Sequence, residues 1–274
     1  MKKRFVSAAL AAVMALSMTA CGSSNSAAET TAADTEAAES QAEETTAEEA
    51  KTTDGGTLIV GFDQDFPPMG FVGDDGEYTG FDLELAEAVC EIYGWKLVKN
   101  PINWDAKDTE LNSGAIDCIW NGFTMNGRED DYTWSDPYVD NSQVMVVCEN
   151  SGINSLSDLA GKTVGVQAAS AALDLLQSEE EGGQKELADT FAALQQFPDY
   201  NNAFVELQAG SIDAVAMDIG VAKYQLESRG EGYKILDEYL NSEKYAIGFK
   251  KGNTELCDKV NEGLQQVLAD GTFD

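Results

Sequence analysis

The chain contains no histidine among its 274 residues. Without histidine it cannot form a Ser-His or Cys-His nucleophile pair, nor the commonest zinc ligand sets. The sequence also lacks a Gly-rich phosphate-binding loop. An enzyme built on this chain would have to work through carboxylates, lysine, tyrosine or a cofactor. We therefore expect a non-enzymatic protein with no metal and no cofactor.

Cysteine and basic residues are scarce as well. Cys90, Cys118, Cys148 and Cys257 are scattered within apolar patterns and have no C-x-x-C spacing. Buried free thiols are the first interpretation, and one disulfide remains the alternative for an exported protein. The chain has 17 Lys and Arg against 49 Asp and Glu, a net charge of -32. This acidity argues against nucleic acid or a bare anionic membrane as a partner.

Long apolar runs are missing too, although the first residues have a pattern of their own. Lys2, Lys3 and Arg4 precede an Ala-rich apolar run over residues 5–15, which is too short to span a bilayer comfortably. This pattern is typical of an export signal. Residues 22–54 contain no aromatic and no large aliphatic side chain, so they cannot bury enough surface to offset their ordering entropy. They are predicted to form a solvated tether.

The remaining residues alternate between apolar strand patterns and helical patterns, which predicts an α/β protein with mostly parallel sheets. Residues 111–119 are echoed by residues 207–215, each with a helix end, a glycine stop and a strand. Residues 56–61 have a counterpart in residues 161–166. Two pairings in the same order predict two lobes with the same β/α organisation. The alternative is a chance match, since such glycine stops and strand starts are common in α/β proteins.

The most informative stretch begins with an apolar strand at residues 57–60 and continues into a polar loop at residues 61–69. Asp82 can cap the helix that follows, and Gly94 ends it. Acids and aromatics in a loop after a strand are how a small-molecule pocket opens in an α/β sheet. Farther along, residues 185–195 are predicted to be helical.

The stretch TLIVGFDQDFPPMGFVGDDGEYTGFDLELAEAV resembles the opening of amino-acid-specific solute-binding proteins of ABC transporters. This is family 3, which includes the lysine/arginine/ornithine, histidine and glutamine binders. The resemblance implies a two-lobed periplasmic-binding-protein-like (type II) fold, with a mostly parallel sheet flanked by helices in each lobe and two hinge crossings. It assigns residues 55–141 to lobe 1, residues 142–242 to lobe 2 and residues 243–274 to the return into lobe 1, where the C terminus looks clipped.

The segment Met18-Thr19-Ala20-Cys21-Gly22 resembles a lipobox. The resemblance implies a lipoprotein signal peptide over residues 1–20, a lipid attached to Cys21 and an acidic, disordered tether over residues 21–54. An ordinary cleaved signal peptide is the alternative.

An amino acid has one ammonium and one carboxylate, so its receptor needs an acid for the first and an Arg or several N–H and O–H donors for the second. Asp218 matches the family acid that holds the α-ammonium, and a helix N-cap is its alternative role. Arg128 matches the Arg that grips the α-carboxylate, and a surface position is its alternative. Phe66 and Trp104 match two rings that sandwich the ligand's stem, although either could be only core. The other matched positions are Asp63, which meets the ligand's polar side chain, Asn121, Gly122 through its backbone, Thr124 through its hydroxyl, and Gln167, Ser170 and Ala171 at a helix start in lobe 2.

These positions imply a receptor that closes its lobes on one free polar or cationic amino acid and delivers it to a membrane-embedded ABC permease. The protein is expected to be an exported monomer, anchored through Cys21 to the outer face of the cytoplasmic membrane. The alternative is an exported enzyme on the same scaffold, such as a cyclohexadienyl-dehydratase-like protein. A sensor module would need a transmembrane segment. Arginine, lysine, ornithine, glutamine and cystine all stay open as ligands.

Overall fold

The structure is a computed structural model that describes residues 56–271. The predictions for the signal peptide, Cys21, the tether and the last three residues lie outside this range. Within it, no helix combines the length and the apolar character needed to cross a bilayer. The four cysteines in the described range are free thiols, and Cys90, Cys118 and Cys257 are buried.

Strands and helices alternate along the described chain. The strands are β1 (Thr57–Phe62), β2 (Asp65–Phe66), β3 (Gly70–Val72), β4 (Tyr78–Thr79), β5 (Lys96–Pro101), β6 (Cys118–Ile119), β7 (Thr133–Trp134), β8 (Val139–Asn141), β9 (Gln143–Cys148), β10 (Thr163–Gln167), β11 (Ala193–Phe197), β12 (Ala214–Asp218), β13 (Tyr233–Ile235), β14 (Glu243–Tyr245) and β15 (Gly248–Phe249). The helices are α1 (Phe81–Tyr93), α2 (Lys107–Ser113), α3 (Ala171–Gln177), α4 (Lys185–Ala188), α5 (Tyr200–Ala209), α6 (Ile219–Arg229) and α7 (Thr254–Asp270).

Two five-stranded sheets carry the fold, and each forms the centre of one lobe. The sheet of lobe 1 has the order β5-β1-β6-β15-β7, and that of lobe 2 has the order β11-β10-β12-β9-β13. In each sheet the first three strands are parallel, the fourth runs antiparallel to them, and the fifth is antiparallel to the fourth. The buried core of lobe 1 joins its sheet to α1 and α7, while α3, α5 and α6 pack on the sheet of lobe 2.

A two-stranded ribbon connects the two sheets along the chain. Its strands, β8 and β14, pair antiparallel, with Asn141 opposite Glu243. The chain enters the second sheet directly after β8, and it returns to the first sheet at β15 directly after β14. The ribbon therefore contains both predicted crossings of the chain between lobes.

The repeated unit seen in the sequence is present in both lobes, with one change of register. Val60 pairs with Cys118 in lobe 1, and Val164 pairs with Ala214 in lobe 2. Cys118 and Ala214 are equivalent in the echo of residues 111–119 by 207–215. Val60 is therefore equivalent to Val164, and the predicted match of residues 56–61 with 161–166 was wrong by one residue.

Two segments differ from the sequence prediction. Residues 61–69 were expected to lie outside any strand, but Gly61 and Phe62 complete β1 and Asp65–Phe66 form β2. Parallel pairing with β5 continues to Phe62, and Gly61 leaves room for Ile116, whose Cδ1 would lie 2.4 Å from a Cβ at that position. The predicted helix over residues 185–195 ends at Ala188, and β11 begins at Ala193. Parallel pairing of β11 with β10 supplies backbone hydrogen bonds that override the local helical pattern.

Candidate functional site

One narrow cleft between the lobes brings together most of the residues that the sequence matched to ligand contacts. It is lined by Phe66, Trp104, Asn121, Gly122, Thr124, Arg128, Gln167, Ser170, Ala171 and Asp218. Asp63 lies beside it and accepts a hydrogen bond from Gln167. The lining side chains leave a cavity of about 10 Å³, which is room for about one water molecule. The cleft is therefore nearly filled by its own side chains in this arrangement of the lobes.

Asp218 ends β12 and forms the acidic end of the cleft, with only 4% of its surface exposed. Its Oδ1 accepts hydrogen bonds from Asn141 Nδ2 at 2.8 Å, Gln143 Nε2 at 2.7 Å and the Tyr245 hydroxyl at 2.7 Å. Its Oδ2 accepts one longer bond, 3.4 Å from the Tyr200 hydroxyl. Asp218 is the N-cap residue of α6, but its side chain makes no capping hydrogen bond. Oδ2 is thus the oxygen that retains capacity for a ligand ammonium.

A second buried carboxylate, Glu243 of β14, lies in the same network and was not recognised in the sequence. Its Oε1 accepts bonds from Thr124 Oγ1, Asn141 Nδ2 and Gln143 Nε2 at 2.7 to 2.8 Å. The two amide side chains therefore bridge both acids. Burial, followed by repulsion from Glu243, raises the pKa of Asp218. A cation brought next to Asp218 would relieve both effects.

Arg128 is the basic residue that lines the cleft and forms its basic end, with 11% of its side chain exposed. Nη2 donates to Asp174 Oδ2 at 2.6 Å and to the Ala169 carbonyl at 3.4 Å, and Nη1 donates to the Thr124 carbonyl at 3.4 Å. These bonds use three of the five N–H groups of a guanidinium. Nε–H and the second Nη1–H are left for an anion such as a carboxylate, but they lie on different sides of the guanidinium, so each would donate singly unless the Nη2 bonds to Asp174 or Ala169 are released.

The loop after β6 turns sharply at Gly122, whose φ is 57°. A Cβ at this position would lie 3.0 Å from the rings of both Phe66 and Tyr245, so only glycine fits without a shift. The Gly122 N–H donates to Asp82 Oδ2 rather than into the cleft. The predicted backbone contact of Gly122 with a ligand is therefore left to its carbonyl group.

Asp82 was predicted to cap α1, and that prediction was wrong. Gly80 occupies the N-cap position, and Asp82 lies inside the first turn of the helix with 0% of its surface exposed. Its carboxylate reaches across to Gly122, and burial raises the pKa of Asp82 to about 7. Sequence proximity to a helix start could not reveal this role, because the partner is 40 residues away.

The two predicted rings both line the cleft but have different environments. Phe66 is 7% exposed and packs against Tyr200 with ring centroids 6.0 Å apart. Trp104 is half-buried and meets Phe123 edge to face, 5.5 Å between centroids. Phe66 is thus fixed in a core, while Trp104 keeps part of its surface available to the cleft.

Asp63 lies beside the cleft and also lines a larger cavity of about 460 Å³, here called the chamber. Its Oδ2 accepts from Gln167 Nε2 at 2.6 Å, which joins lobe 1 to lobe 2. Burial raises the pKa of Asp63 to about 6. Trp104 and the acids Asp65, Asp105 and Asp199 also line this chamber, and its lining includes no basic residue.

The lobe 2 side of the cleft begins with Gln167, the last residue of β10, and continues into α3. Ser170 is the N-cap of α3, and its Oγ accepts a hydrogen bond from the Leu173 N–H at 3.2 Å. The hydroxyl therefore organises the start of the helix while it lines the cleft together with Ala171.

Comparisons with known proteins show which family the chain is similar to. A model of the bacterial extracellular solute-binding proteins, family 3, matches residues 58–274. An L-cystine-binding protein of Escherichia coli (strain K12) is 29% identical over 226 residues, 81% of this chain and 82% of that protein. An arginine-binding extracellular protein of Bacillus subtilis (strain 168) is 29% identical over 276 residues, 99% of this chain and 95% of that protein. The crystal structure of an ABC uptake transporter substrate-binding protein from Streptococcus pneumoniae with bound histidine has 37% identity and a TM-score of 0.74, and it covers 78% of this chain and 88% of that chain.

Proposed function

The chain belongs to the bacterial extracellular solute-binding proteins, family 3, and we propose that it captures one free polar or cationic amino acid and hands it to an ABC permease. Its relatives are amino-acid-binding proteins, so it has the type II periplasmic-binding-protein fold and binds an amino acid for ABC transport. The cleft residues, the preferred side chain and the membrane anchor are the parts that we propose.

The observation that carries the proposal is that two opposite charges, one from each lobe, line the same cleft. Asp218 comes from lobe 2 and keeps Oδ2 available for an ammonium. Arg128 comes from lobe 1 and keeps Nε–H and one Nη1–H as donors for a carboxylate. A free amino acid satisfies both ends only when both lobes contact it, so binding favours the closed arrangement.

The acidic chamber beside the cleft favours a ligand with a long stem and an N–H donor at its far end. Asp63 would accept from that donor, with Phe66 and Trp104 as walls for the stem. A leucine or valine side chain would leave the Asp63 carboxylate desolvated without a ligand partner, at a cost of roughly 1 to 3 kcal/mol. The far half of cystine would bring an ammonium that these acids attract but also a second carboxylate that Asp65 and Asp199 repel, whereas the far ends of arginine, lysine and ornithine carry only the positive charge. Arginine, lysine and ornithine therefore fit this chamber better than cystine.

A screen of free amino acids by thermal unfolding tests the ligand class. Tight binding raises stability by several kcal/mol at saturating ligand. We expect arginine, lysine or ornithine to raise the melting temperature most, glutamine less, and leucine, isoleucine and valine not at all. A branched aliphatic ligand that outcompetes the polar ones would contradict the proposed chamber, and no shift with any amino acid would contradict the proposed function.

The ribbon of β8 and β14 is the proposed hinge, with lobe boundaries at residues 141/142 and 242/243. An exported enzyme on the same scaffold is less well supported, because the two charged ends of the cleft are accounted for by an amino acid and the relatives named above are binding proteins. We propose that the receptor acts as a monomer.

Membrane attachment through a lipid on Cys21 is proposed from the lipobox-like segment and the tether sequence. Changing Cys21→Ala should move the protein from the membrane fraction to the soluble extracytoplasmic fraction without changing ligand affinity. Fractionation followed by immunoblotting measures this, and retention of the variant on the membrane would contradict the lipoprotein assignment.

A further inference from the structure

Two basic side chains of lobe 1 converge on one backbone carbonyl of lobe 2. Lys107 Nζ donates to the Ala169 carbonyl at 3.3 Å, and Arg128 Nη2 donates to the same oxygen at 3.4 Å. Arg128 also pairs with Asp174 of α3. Lys107 begins α2, which packs on β1 and β6, whereas Ala169 lies in the loop between β10 and α3. These bonds therefore exist only while the lobes are together.

Lys107 is an unusually buried lysine, with 4% of its surface exposed. Its Nζ lies 5.4 Å from the centroid of the Trp104 ring, and no described carboxylate forms an ion pair with it. Burial, followed by repulsion from Arg128, lowers the pKa of Lys107. The Ala169 carbonyl and the Trp104 ring contact the ammonium group directly, and the more distant charges of Asp108, Asp174 and Asp105 also stabilise it. Opening the cleft would remove the contact with the Ala169 carbonyl.

Ala169 itself has a backbone conformation that L-residues seldom adopt. Its φ of 55° makes it the one non-glycine residue with positive φ in the described part of the chain. Such a conformation persists when surrounding contacts hold it in place. The loop that receives both cations is therefore set by contacts across the cleft as well as by its own sequence.

We propose that Lys107 is a positioning residue for ligand capture, which holds the Ala169 loop against lobe 1 and so prolongs the retention of a bound amino acid. This inference rests on the proposed function, since retention presupposes that the cleft binds an amino acid. Lys107 does not line the cleft; it acts on the loop that leads into Ser170 and Ala171, which do. Contacts present only in the closed arrangement raise its population and slow the escape of the ligand.

Substitution Lys107→Met tests the role, because methionine keeps the apolar stem beside Trp104 and removes the donor. Small-angle X-ray scattering without added amino acid should give a larger radius of gyration for the variant than for the wild type. Stopped-flow tryptophan fluorescence with L-arginine as the probe should show dissociation about tenfold faster and association nearly unchanged. Lys96→Met, on the exposed start of β5, is the matched control and should change neither quantity.

A purely structural role for Lys107 would be visible in the melting temperature. We expect Lys107→Met to melt no lower than the wild type, since it removes a buried charge and fills the space with apolar atoms. Lys107→Arg restores a charged donor and should recover both the scattering curve and the slow dissociation. A lower melting temperature for both variants, with no recovery by arginine, would assign Lys107 to packing and overturn the proposal.

The proposal also fails if Lys107→Met keeps both the wild-type radius of gyration and the wild-type dissociation rate. If L-arginine does not bind the wild-type protein, the proposed ligand class is contradicted instead. The scattering comparison without amino acid still decides the role of Lys107 in that case.

Discussion

The two lobes contain the same helix–glycine–strand unit, and the copies differ at the residue that reaches the cleft. Gly61 in lobe 1 and Gly165 in lobe 2 are equivalent by strand pairing. A Cβ on either would collide with the Cδ1 of an isoleucine, at 2.4 Å from Ile116 and 2.6 Å from Ile212. The packing between helix, turn and neighbouring strand is thus repeated in detail.

The equivalence extends to the ends of strands β6 and β12. Counting four residues on from the equivalent positions Cys118 and Ala214 makes Gly122 of lobe 1 the equivalent of Asp218 of lobe 2. Gly122 makes a tight turn that leads to Thr124 and Arg128, whereas Asp218 presents a carboxylate. One framework therefore carries the basic end of the cleft in lobe 1 and the acidic end in lobe 2. The shared residues build the fold, and the residues that differ at this position determine what is bound.

The largest effect should come from removing the acidic end. Asp218→Ala is expected to weaken binding of the best amino acid from the thermal screen by about 2 to 5 kcal/mol, because the ligand ammonium would be desolvated without a partner. Isothermal titration calorimetry measures the loss. Asp237→Ala, an exposed acid of the same lobe, is the control. Near-normal affinity of Asp218→Ala would refute the assignment.

Removing the basic end should have the next largest effect. Arg128→Gln is expected to weaken binding by about 2 kcal/mol, since the ligand carboxylate loses a charged donor but keeps the N–H groups at the start of α3. Ethyl esters of amino acids, such as glycine ethyl ester, lack the free carboxylate. Calorimetry with these esters should therefore give nearly the same affinity for Arg128→Gln and for the wild type. Equal losses for esters and free amino acids would place Arg128 outside the carboxylate contact.

Asp63 in the chamber should contribute less to ligand affinity than Asp218 or Arg128, and the size of its effect should depend on the ligand's side chain. Asp63→Asn is expected to weaken the binding of L-arginine by about 1 to 3 kcal/mol, because a charged acceptor becomes a neutral one. The binding of L-glutamine should weaken only modestly. Paired titrations of the two amino acids give the difference. Equal losses of affinity for L-arginine and L-glutamine would show that Asp63 does not distinguish a charged ligand side chain from a neutral one.

Protonation of Asp63 at low pH should affect the binding of L-arginine in the same way as Asp63→Asn. Burial raises the pKa of Asp63 to about 6, and a cationic ligand binds the ionised form and lowers that pKa. Affinity for L-arginine should therefore be constant above pH 7 and fall between pH 6 and pH 5, by up to about tenfold per unit for each group involved. Asp63→Asn should show a shallower fall, with the remainder due to Asp218, whose pKa is also raised.

Resemblance to the family pointed to Asp218 and Arg128, whereas two residues whose roles depend on distant partners were not singled out from the sequence. Asp218 and Arg128 follow strands in recognisable segments, and both reached the cleft. Nothing in its own segment marks Glu243, since its partners Asn141 and Gln143 lie about 100 residues away. Nothing local marks Lys107 either, because its hydrogen-bond partner Ala169 belongs to the other lobe.

The smallest expected effects concern the shared framework, and they test the comparison directly. Asp117 Oδ2 accepts from the Ile59 N–H at 2.7 Å, and Asp213 Oδ2 accepts from the Thr163 N–H at 2.9 Å. Both acids precede their strands, at the ends that face away from the cleft. Asp117→Ala and Asp213→Ala should each lower the free energy of unfolding by about 1 kcal/mol, since each leaves one backbone N–H without its acceptor.

Urea unfolding followed by circular dichroism measures these two losses, and calorimetry should find ligand affinity unchanged in both variants. The Lys162 pair with Asp213 is 3.5 Å long and about 39% exposed, so it should add little to the second loss. Equal losses would support the view that the lobes share one structural unit and differ only in what they present to the ligand. A loss confined to one lobe, or a change in affinity, would mean that the two copies have diverged in their framework as well as at the cleft.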